Sequence, residues 1–141
     1  MAKIKPSILV MNETLLQGNQ KASIPLYKCW TKNRTKQGGG GIATAVASNY
    51  MDTAISAGEG IGDDEYIVTR IDAFYPAISI VNCYGEQRRE NMEDIEAKWM
   101  RIKKDLDNIV ARNEFCLLAG DINKSSLAAL VVLQFLSILV S

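Results

Sequence analysis

The residues most suited to chemistry follow a short apolar run near the end of the sequence. The run covers residues 115–119, and Gly120-Asp121-Ile122-Asn123 follows it, so a carboxylate and an amide come directly after a glycine. A run of this length predicts a buried strand, and reactive side chains of open α/β proteins collect at the carboxyl ends of strands. Asp and Asn also favour ordinary turns, so this segment alone leaves a plain turn as the alternative.

Three further groups of polar side chains lie at the ends of predicted strands. They are Asn12-Glu13-Thr14, Asp64-Glu65 and Asn82-Cys83-Tyr84. The sequence contains no histidine, which excludes a Ser-His-Asp triad, a Cys-His pair and any zinc site that needs imidazole. If the protein uses a metal, we therefore expect a hard cation held by oxygen atoms.

The composition limits the class of protein. A chain of 141 residues, 48% of them hydrophobic, forms one domain or part of a larger one. Its 16 basic and 16 acidic residues cancel, so no net field draws the chain to nucleic acid or an anionic membrane, and any phosphate binding must be local. Cys29, Cys83 and Cys116 lack metal-like spacing, which favours buried free thiols in a reducing compartment over an intermolecular disulfide.

The start of the sequence does not resemble a secretory signal. Residues 1–6 are polar, and the apolar run at 8–11 is too short for the apolar region of a signal peptide. We therefore expect an intracellular protein, nuclear or cytoplasmic.

A run of four glycines, residues 38–41, follows a basic segment that contains Lys32, Arg34 and Lys36. A phosphate-binding P-loop needs Lys-Ser/Thr after its last glycine and a helix beyond it, whereas Ile42-Ala43-Thr44 follows here. We therefore predict a flexible hairpin turn. The basic side chains could still meet a phosphate backbone, and a solvated loop is the alternative.

Alternating and β-branched segments predict the strands that position these polar groups. Pro76 separates two of them, which we expect to pair as neighbours. Residues 58–64, rich in glycine and acids, predict a loop. The predicted strands are residues 7–12, 27–31, 42–48, 54–56, 65–72, 77–84 and 115–119.

One helix is predicted from apolar side chains that recur at spacings of three and four. Asn91 is its expected N-cap, and Asn113 is expected to end it. Such a stripe indicates core packing, and the order strand, helix, strand predicts a sheet with helical cover. The apolar positions are Met92, Ile95, Trp99, Ile102, Leu106 and Ile109.

In their order along the chain, the four polar groups resemble a known pattern. Together with the Gly-Gly-Gly-Ile-Ala strand, they make residues 6–124 similar to the endonuclease/exonuclease/phosphatase superfamily, which has the DNase I-like fold. The similarity is greatest to the endonuclease domain of non-LTR retrotransposons. The resemblance implies an α/β (α+β) chain that forms part of a four-layer α/β sandwich, roughly one sheet plus its covering helix.

The resemblance also implies roles for individual residues. Glu13 corresponds to a ligand of a divalent metal, Mg²⁺ or Mn²⁺, and Tyr84, two residues after Asn82, to a tyrosine near the scissile phosphate. Asp121 would orient or deprotonate the attacking water, and Asn123 would bind phosphate. The activity that the resemblance implies is nicking of DNA. The assigned roles suit it, because in-line attack on a phosphodiester needs a positioned water and a cation. No small-molecule cofactor is implied.

The chain departs from the family pattern at both ends. In the family, a first strand that carries an asparagine near the metal would precede Lys5, and a second half that ends in a Ser-Asp-His motif would follow Lys124. We therefore interpret residues 1–124 as a truncated domain in which little or no nuclease activity remains. A phosphatase of the same superfamily is an alternative function, although the basic segment 32–36 favours a polynucleotide substrate.

Residues 125–141 form an apolar tail that is unrelated to the family. Between residues 127 and 140 only Gln134 and Ser137 are polar, and this run is shorter than the about 17–25 residues of a membrane-spanning helix. The tail is either sequence joined from another reading frame or an unspliced segment, or a genuine tail that covers the exposed sheet. The alternative to a nuclease fragment is thus a non-catalytic remnant whose open sheet and tail drive self-association or weak membrane attachment.

Overall fold

The structure, a computed structural model, describes residues 6–34, 40–60, 65–84 and 92–120. A short 3₁₀ turn, Met51–Thr53, precedes the fourth strand. The strands and the helix are β1 (Ile8–Asn12), β2 (Tyr27–Lys32), β3 (Ile42–Ala47), β4 (Ala54–Glu59), β5 (Tyr66–Ile71), β6 (Ile78–Cys83), α1 (Met92–Ala111) and β7 (Phe115–Ala119).

The strands form two sheets. The first is antiparallel with the order β1-β3-β2, and the second has the order β4-β5-β6-β7. β4, β5 and β6 are antiparallel, whereas β7 lies parallel to β6 after the chain has crossed through α1. A parallel neighbour requires such a crossover. The predicted α/β class and the predicted pairing of the strands on either side of Pro76 are confirmed.

Alternation along β5 and β6 gives the second sheet two buried faces. Tyr66, Val68, Val81 and Cys83 face α1, where they contact its apolar stripe. Ile71 and Ile80 face the first sheet and pack against Val46. The described residues therefore form three layers: helix, second sheet and first sheet. The stripe residues in the core are Trp99, Ile102, Leu106 and Ile109. The side chains of Met92 and Ile95 are not among those that the structure describes.

The expectation of roughly one sheet was wrong in number, because β1, β2 and β3 form a sheet of their own. The inner face of the second sheet is consequently covered along β5 and β6, not left open. β7 is the exception, since Phe115 and Leu117 on its inner side are 63% and 49% exposed. Periodicity identifies strands, but partners that are distant in the sequence are chosen by packing.

Of two predicted element ends, one is wrong and one is confirmed. β4 does not stop at Ser56 but continues to Glu59, because an irregularity between Ser56 and Gly58 lets pairing with β5 resume. The predicted end of α1 at Asn113 is confirmed: its φ of 54° is left-handed, and the Glu114 amide donates to the Ile109 carbonyl at 3.3 Å. The predicted N-cap, Asn91, lies outside the described residues.

The cysteines are free, as predicted, but only Cys83 is buried, while Cys29 and Cys116 are half-buried. Burial raises the pKa of the Cys83 and Cys116 thiols to about 11, so both are protonated at neutral pH. Within the described ranges, α1 is not apolar enough to span a bilayer. The apolar tail, together with the whole of residues 121–141, is outside the description.

Candidate active site at one end of the sandwich

Two asparagines join the sheets at the end where β1 and β6 finish. The Asn12 side-chain amide donates to Asn82 Oδ1 at 2.9 Å. Asn82 is fully buried, and its Nδ2 donates to the Ala43 carbonyl at 2.9 Å and approaches Thr44 Oγ1 at 3.2 Å. Because buried amides need partners, this network fixes the ends of β1, β3 and β6 relative to one another.

The chain turns sharply directly after β1. Glu13 has a left-handed φ of 53°, which costs a non-glycine residue about 1–2 kcal/mol. Backbone hydrogen bonds hold the turn: the Thr14 amide donates to the Gly41 carbonyl at 3.1 Å, and the Leu15 amide donates to the Gly40 carbonyl at 3.0 Å. Strain of this kind concentrates at functional sites.

The turn brings Glu13 to Tyr84, which follows β6. Tyr84 Oη donates to Glu13 Oε1 at 2.8 Å. Tyr84 is only 7% exposed, whereas Glu13 is exposed to solvent. The hydrogen bond to Glu13 and, secondarily, burial raise the pKa of Tyr84 to about 12. Tyr84 is therefore a neutral hydrogen-bond donor at physiological pH.

Lys98 of α1 holds the backbone of Tyr84. Its Nζ donates to the Tyr84 carbonyl at 2.7 Å, and the residue is 4% exposed. The sequence offered no signal for this role, because Lys98 lies among the charged residues on the polar faces of an amphipathic helix.

Arg34 and Glu65 form a buried ion pair beside Tyr84. Arg34 Nη2 lies 2.6 Å from Glu65 Oε2, and the two side chains are 7% and 3% exposed. The other carboxylate oxygen of Glu65 accepts a hydrogen bond from the Gly41 amide. The guanidinium carbon of Arg34 lies 5.6 Å from the centre of the Tyr84 ring, within cation–π range.

The two described glycines of the glycine run leave space for neighbouring side chains. Gly40 and Gly41 both have φ of 87°, and a Cβ on Gly40 would overlap the Arg34 guanidinium, while one on Gly41 would crowd the Thr14 hydroxyl. The antiparallel pairing of β2 with β3 confirms the predicted hairpin connection. Lys36 lies in residues 35–39, which are outside the description.

Gly120 brings the end of β7 to the same region. With φ of 125°, it lies so close to Cys83 that a Cβ would overlap the Cys83 carbonyl oxygen. The structure thus brings Glu13 and Tyr84 together, with Glu65 nearby. Asp121 and Asn123 lie beyond Gly120 and outside the described residues, so their place in this site stays a prediction.

The donor set at this end fits a hydrated cation better than an all-protein cage. Among the described residues no group of three or more acids, cysteines or histidines could hold a metal. Glu13 offers one exposed carboxylate, and Mg²⁺ is commonly bound through one or two carboxylates while it keeps several waters. Glu13 can therefore act as a single protein ligand of such an ion.

Comparison with known proteins shows the fold. No protein-family model and no curated protein matches the sequence. The crystal structure of AP endonuclease LMAP from Leishmania major matches 82% of this chain with a TM-score of 0.57 and 18% sequence identity. The fold is DNase I-like. The chain spans only 45% of the length of that structure, and at this identity the likeness shows the fold alone.

Proposed function

We propose that this chain is part of a divalent-metal-dependent phosphodiesterase domain that acts on DNA. The observation that carries the proposal is the 2.8 Å hydrogen bond between Tyr84 and Glu13, which are 71 positions apart. The sequence pattern by itself assigns these two residues to one catalytic site. The structural neighbour is an AP endonuclease, which supports a DNA substrate.

In the proposed site, each residue does what its chemistry allows. Glu13 would hold Mg²⁺ or Mn²⁺, and such an ion would supply positive charge beside the phosphoryl oxygens. Tyr84 has a single hydroxyl proton, which it donates to Glu13 in the free chain. When Glu13 holds a metal ion, the same proton would turn to a phosphoryl oxygen near the scissile bond. Asp121 orients or deprotonates the attacking water, and Asn123 binds phosphate. Asn12 and Asn82 keep the strand ends at the separation that these contacts require.

The retrotransposon type of endonuclease is the finer part of the proposal. It is supported by the order of Asn-Glu-Thr, Gly-Gly-Gly-Ile-Ala, Asn-x-Tyr and Gly-Asp-x-Asn over residues 6–124. We also propose that residues 6–124 have little nuclease activity on their own. Removal of one donor to a transition state typically costs about 10²- to 10³-fold in rate, and the sequence contains no histidine that could act as the one in the family's Ser-Asp-His motif.

Metal binding tests the site without requiring turnover. Mn²⁺ binding, followed by electron paramagnetic resonance, should be weakened at least about tenfold in Glu13→Gln, because even changes around metal ligands typically cost 10- to 100-fold in affinity. Glu96→Gln is the matched control, since Glu96 is an exposed glutamate on α1. Equal Mn²⁺ affinity of Glu13→Gln and the unmodified chain would remove the metal site from the proposal.

Nicking of supercoiled plasmid in the presence of Mg²⁺ tests the proposed activity. We expect a trace of nicking or none from the unmodified chain, and none from Asp121→Ala. Efficient nicking that Asp121→Ala abolishes would show that the domain is sufficient for catalysis. Nicking that persists unchanged in Asp121→Ala would contradict the assigned role of Asp121.

One observation favours a second candidate function, self-association without catalysis. Phe115 and Leu117 are 63% and 49% exposed on the inner side of β7, and among the described strands β7 has a partner on only one of its edges. An unpaired strand edge with exposed apolar side chains is a template for association.

A further inference from the structure

The ring of Tyr84 needs more than its hydroxyl contact to be oriented. The hydrogen bond to Glu13 fixes the position of the Oη atom, and Lys98 fixes the backbone carbonyl. Neither contact prevents the ring from rotating about the axis that runs from Cβ to Oη. The ring packs with Ile42 and Ile67, and the Arg34 guanidinium lies 5.6 Å from the ring centre, so these three side chains together restrain its rotation.

Arg34 is itself held in one orientation. Glu65 binds its Nη2 at 2.6 Å and uses its second oxygen to accept from the Gly41 amide, so the carboxylate is anchored to the backbone just before β3. Gly40 leaves the space that the guanidinium occupies. A planar guanidinium can pair with a carboxylate and stack on an aromatic face at the same time, which an ammonium group cannot do.

Burial argues against a direct contact between Arg34 and a substrate. Its side chain is 7% exposed and is already paired with Glu65, and to withdraw a buried partner from such a pair is costly. We infer that Arg34 is a positioning residue for Tyr84, held by Glu65 and by the space at Gly40. This inference rests on the proposed function, because it explains how Tyr84 is presented beside Glu13.

Tyrosine-selective ¹³C labelling and NMR of the full chain test the inference. The chain has five tyrosines, so the other four serve as internal references. Arg34→Met should shift the ring signals of Tyr84 and leave the others in place. Arg70→Met is the matched control, because it removes another ion pair of 2.6 Å, with Glu114, and should leave Tyr84 unshifted.

A conservative variant gives a second readout. Arg34→Lys keeps a charge for Glu65 but loses the planar group, so it should fold even if Arg34→Met does not, and it should still shift Tyr84.

Unchanged Tyr84 signals in folded Arg34→Met, or in Arg34→Lys where Arg34→Met does not fold, would overturn the inference. The NMR readout needs no metal, whereas absence of Mn²⁺ binding by the unmodified chain would overturn the proposed function. The two failures are therefore distinguishable.

Discussion

The contact between Tyr84 and Glu13 joins a buried phenol to an exposed carboxylate, and this asymmetry sets its contribution to stability. In Tyr84→Phe the carboxylate can turn to water, so we expect the free energy of unfolding to fall by only about 1 kcal/mol, the usual net value of a hydrogen bond. Urea denaturation measures the change.

The control for this substitution is Tyr27→Phe, which removes an exposed hydrogen bond of 2.6 Å to the Pro6 carbonyl. We expect a smaller loss there, below about 0.5 kcal/mol, because exposed groups exchange protein partners for water at little cost. A loss in Tyr84→Phe no greater than that in Tyr27→Phe would show that the Tyr84 contact contributes nothing specific.

Some site residues could be predicted from sequence and others could not, for a physical reason. Glu13, Asn82 and Tyr84 directly end or follow strands, so a local pattern marks them. Lys98 is buried and donates a hydrogen bond to the Tyr84 carbonyl, 14 positions earlier, a contact that only the tertiary structure creates. The sequence indicates only that Arg34 belongs to a basic segment, because its pairing with Glu65, 31 positions later, depends on the tertiary structure.

The end of β7 depends on a glycine that approaches β6 closely. Gly120→Ala would place a Cβ on the Cys83 carbonyl oxygen in a left-handed backbone. Backbone strain of about 1–2 kcal/mol adds to about 1–3 kcal/mol for the overlap. We expect reduced stability and weaker amide-exchange protection in β7.

Gly18→Ala separates the two contributions. Gly18 also has a positive φ, 56°, but nothing lies within 4 Å of the position of its Cβ. It should cost only the backbone strain, about 1–2 kcal/mol. Equal losses in the two variants would mean that β7 can move away from β6 freely.

An ion pair ties β5 to the start of β7 and makes stability depend on pH. Arg70 Nη2 lies 2.6 Å from Glu114 Oε1, and the hydrogen bond from Arg70 holds the pKa of Glu114 below its ordinary value of 4.5. A lowered pKa in the folded state means that the stabilisation is complete above pH 4.5 and is lost as the pH falls through the lowered value.

We therefore expect the unmodified chain to lose more stability than Glu114→Gln on acidification below pH 4.5. Urea denaturation at a series of pH values measures this difference. Asp107→Asn is the control, because the Asp107 pair with Lys103 is about half exposed and should contribute little. Parallel pH profiles of Glu114→Gln and the unmodified chain would contradict the assignment.

At the level of elements, regular periodicity in the sequence was sufficient to predict which faces of the strands and the helix are buried. Irregular pairing could not be predicted from periodicity. The alternation of β5 and β6 and the stripe of α1 predicted their faces correctly. The extension of β4 past Ser56 was not predicted, because a strand that contains a pairing irregularity has no continuous alternation. The separate first sheet was not predicted, because β1 pairs with β3 and residues 13–41 lie between these two strands.

At the scale of the described structure as a whole, the feature most relevant to association is the outer edge of β7 in the second sheet. Phe115 on β7 and Met100 on α1 are both 63% exposed, but only Phe115 lies beside an unpaired strand edge within the described structure. We expect Phe115→Thr to reduce self-association in sedimentation velocity and Met100→Gln to have no effect. Equal effects would show that association follows general hydrophobicity and not the strand edge.

The packing of the two sheets, which the hydrogen bond between Asn12 and Asn82 joins, has a thermodynamic consequence for ligand binding. Glu13 follows a strand of one sheet and Tyr84 a strand of the other, and they adjoin only when the sheets are packed together. A ligand that needs both residues can bind only that state, so its binding and the closure of the sandwich are linked equilibria. A ligand at one hundred times its dissociation constant would stabilise the closed sandwich by about 2.7 kcal/mol.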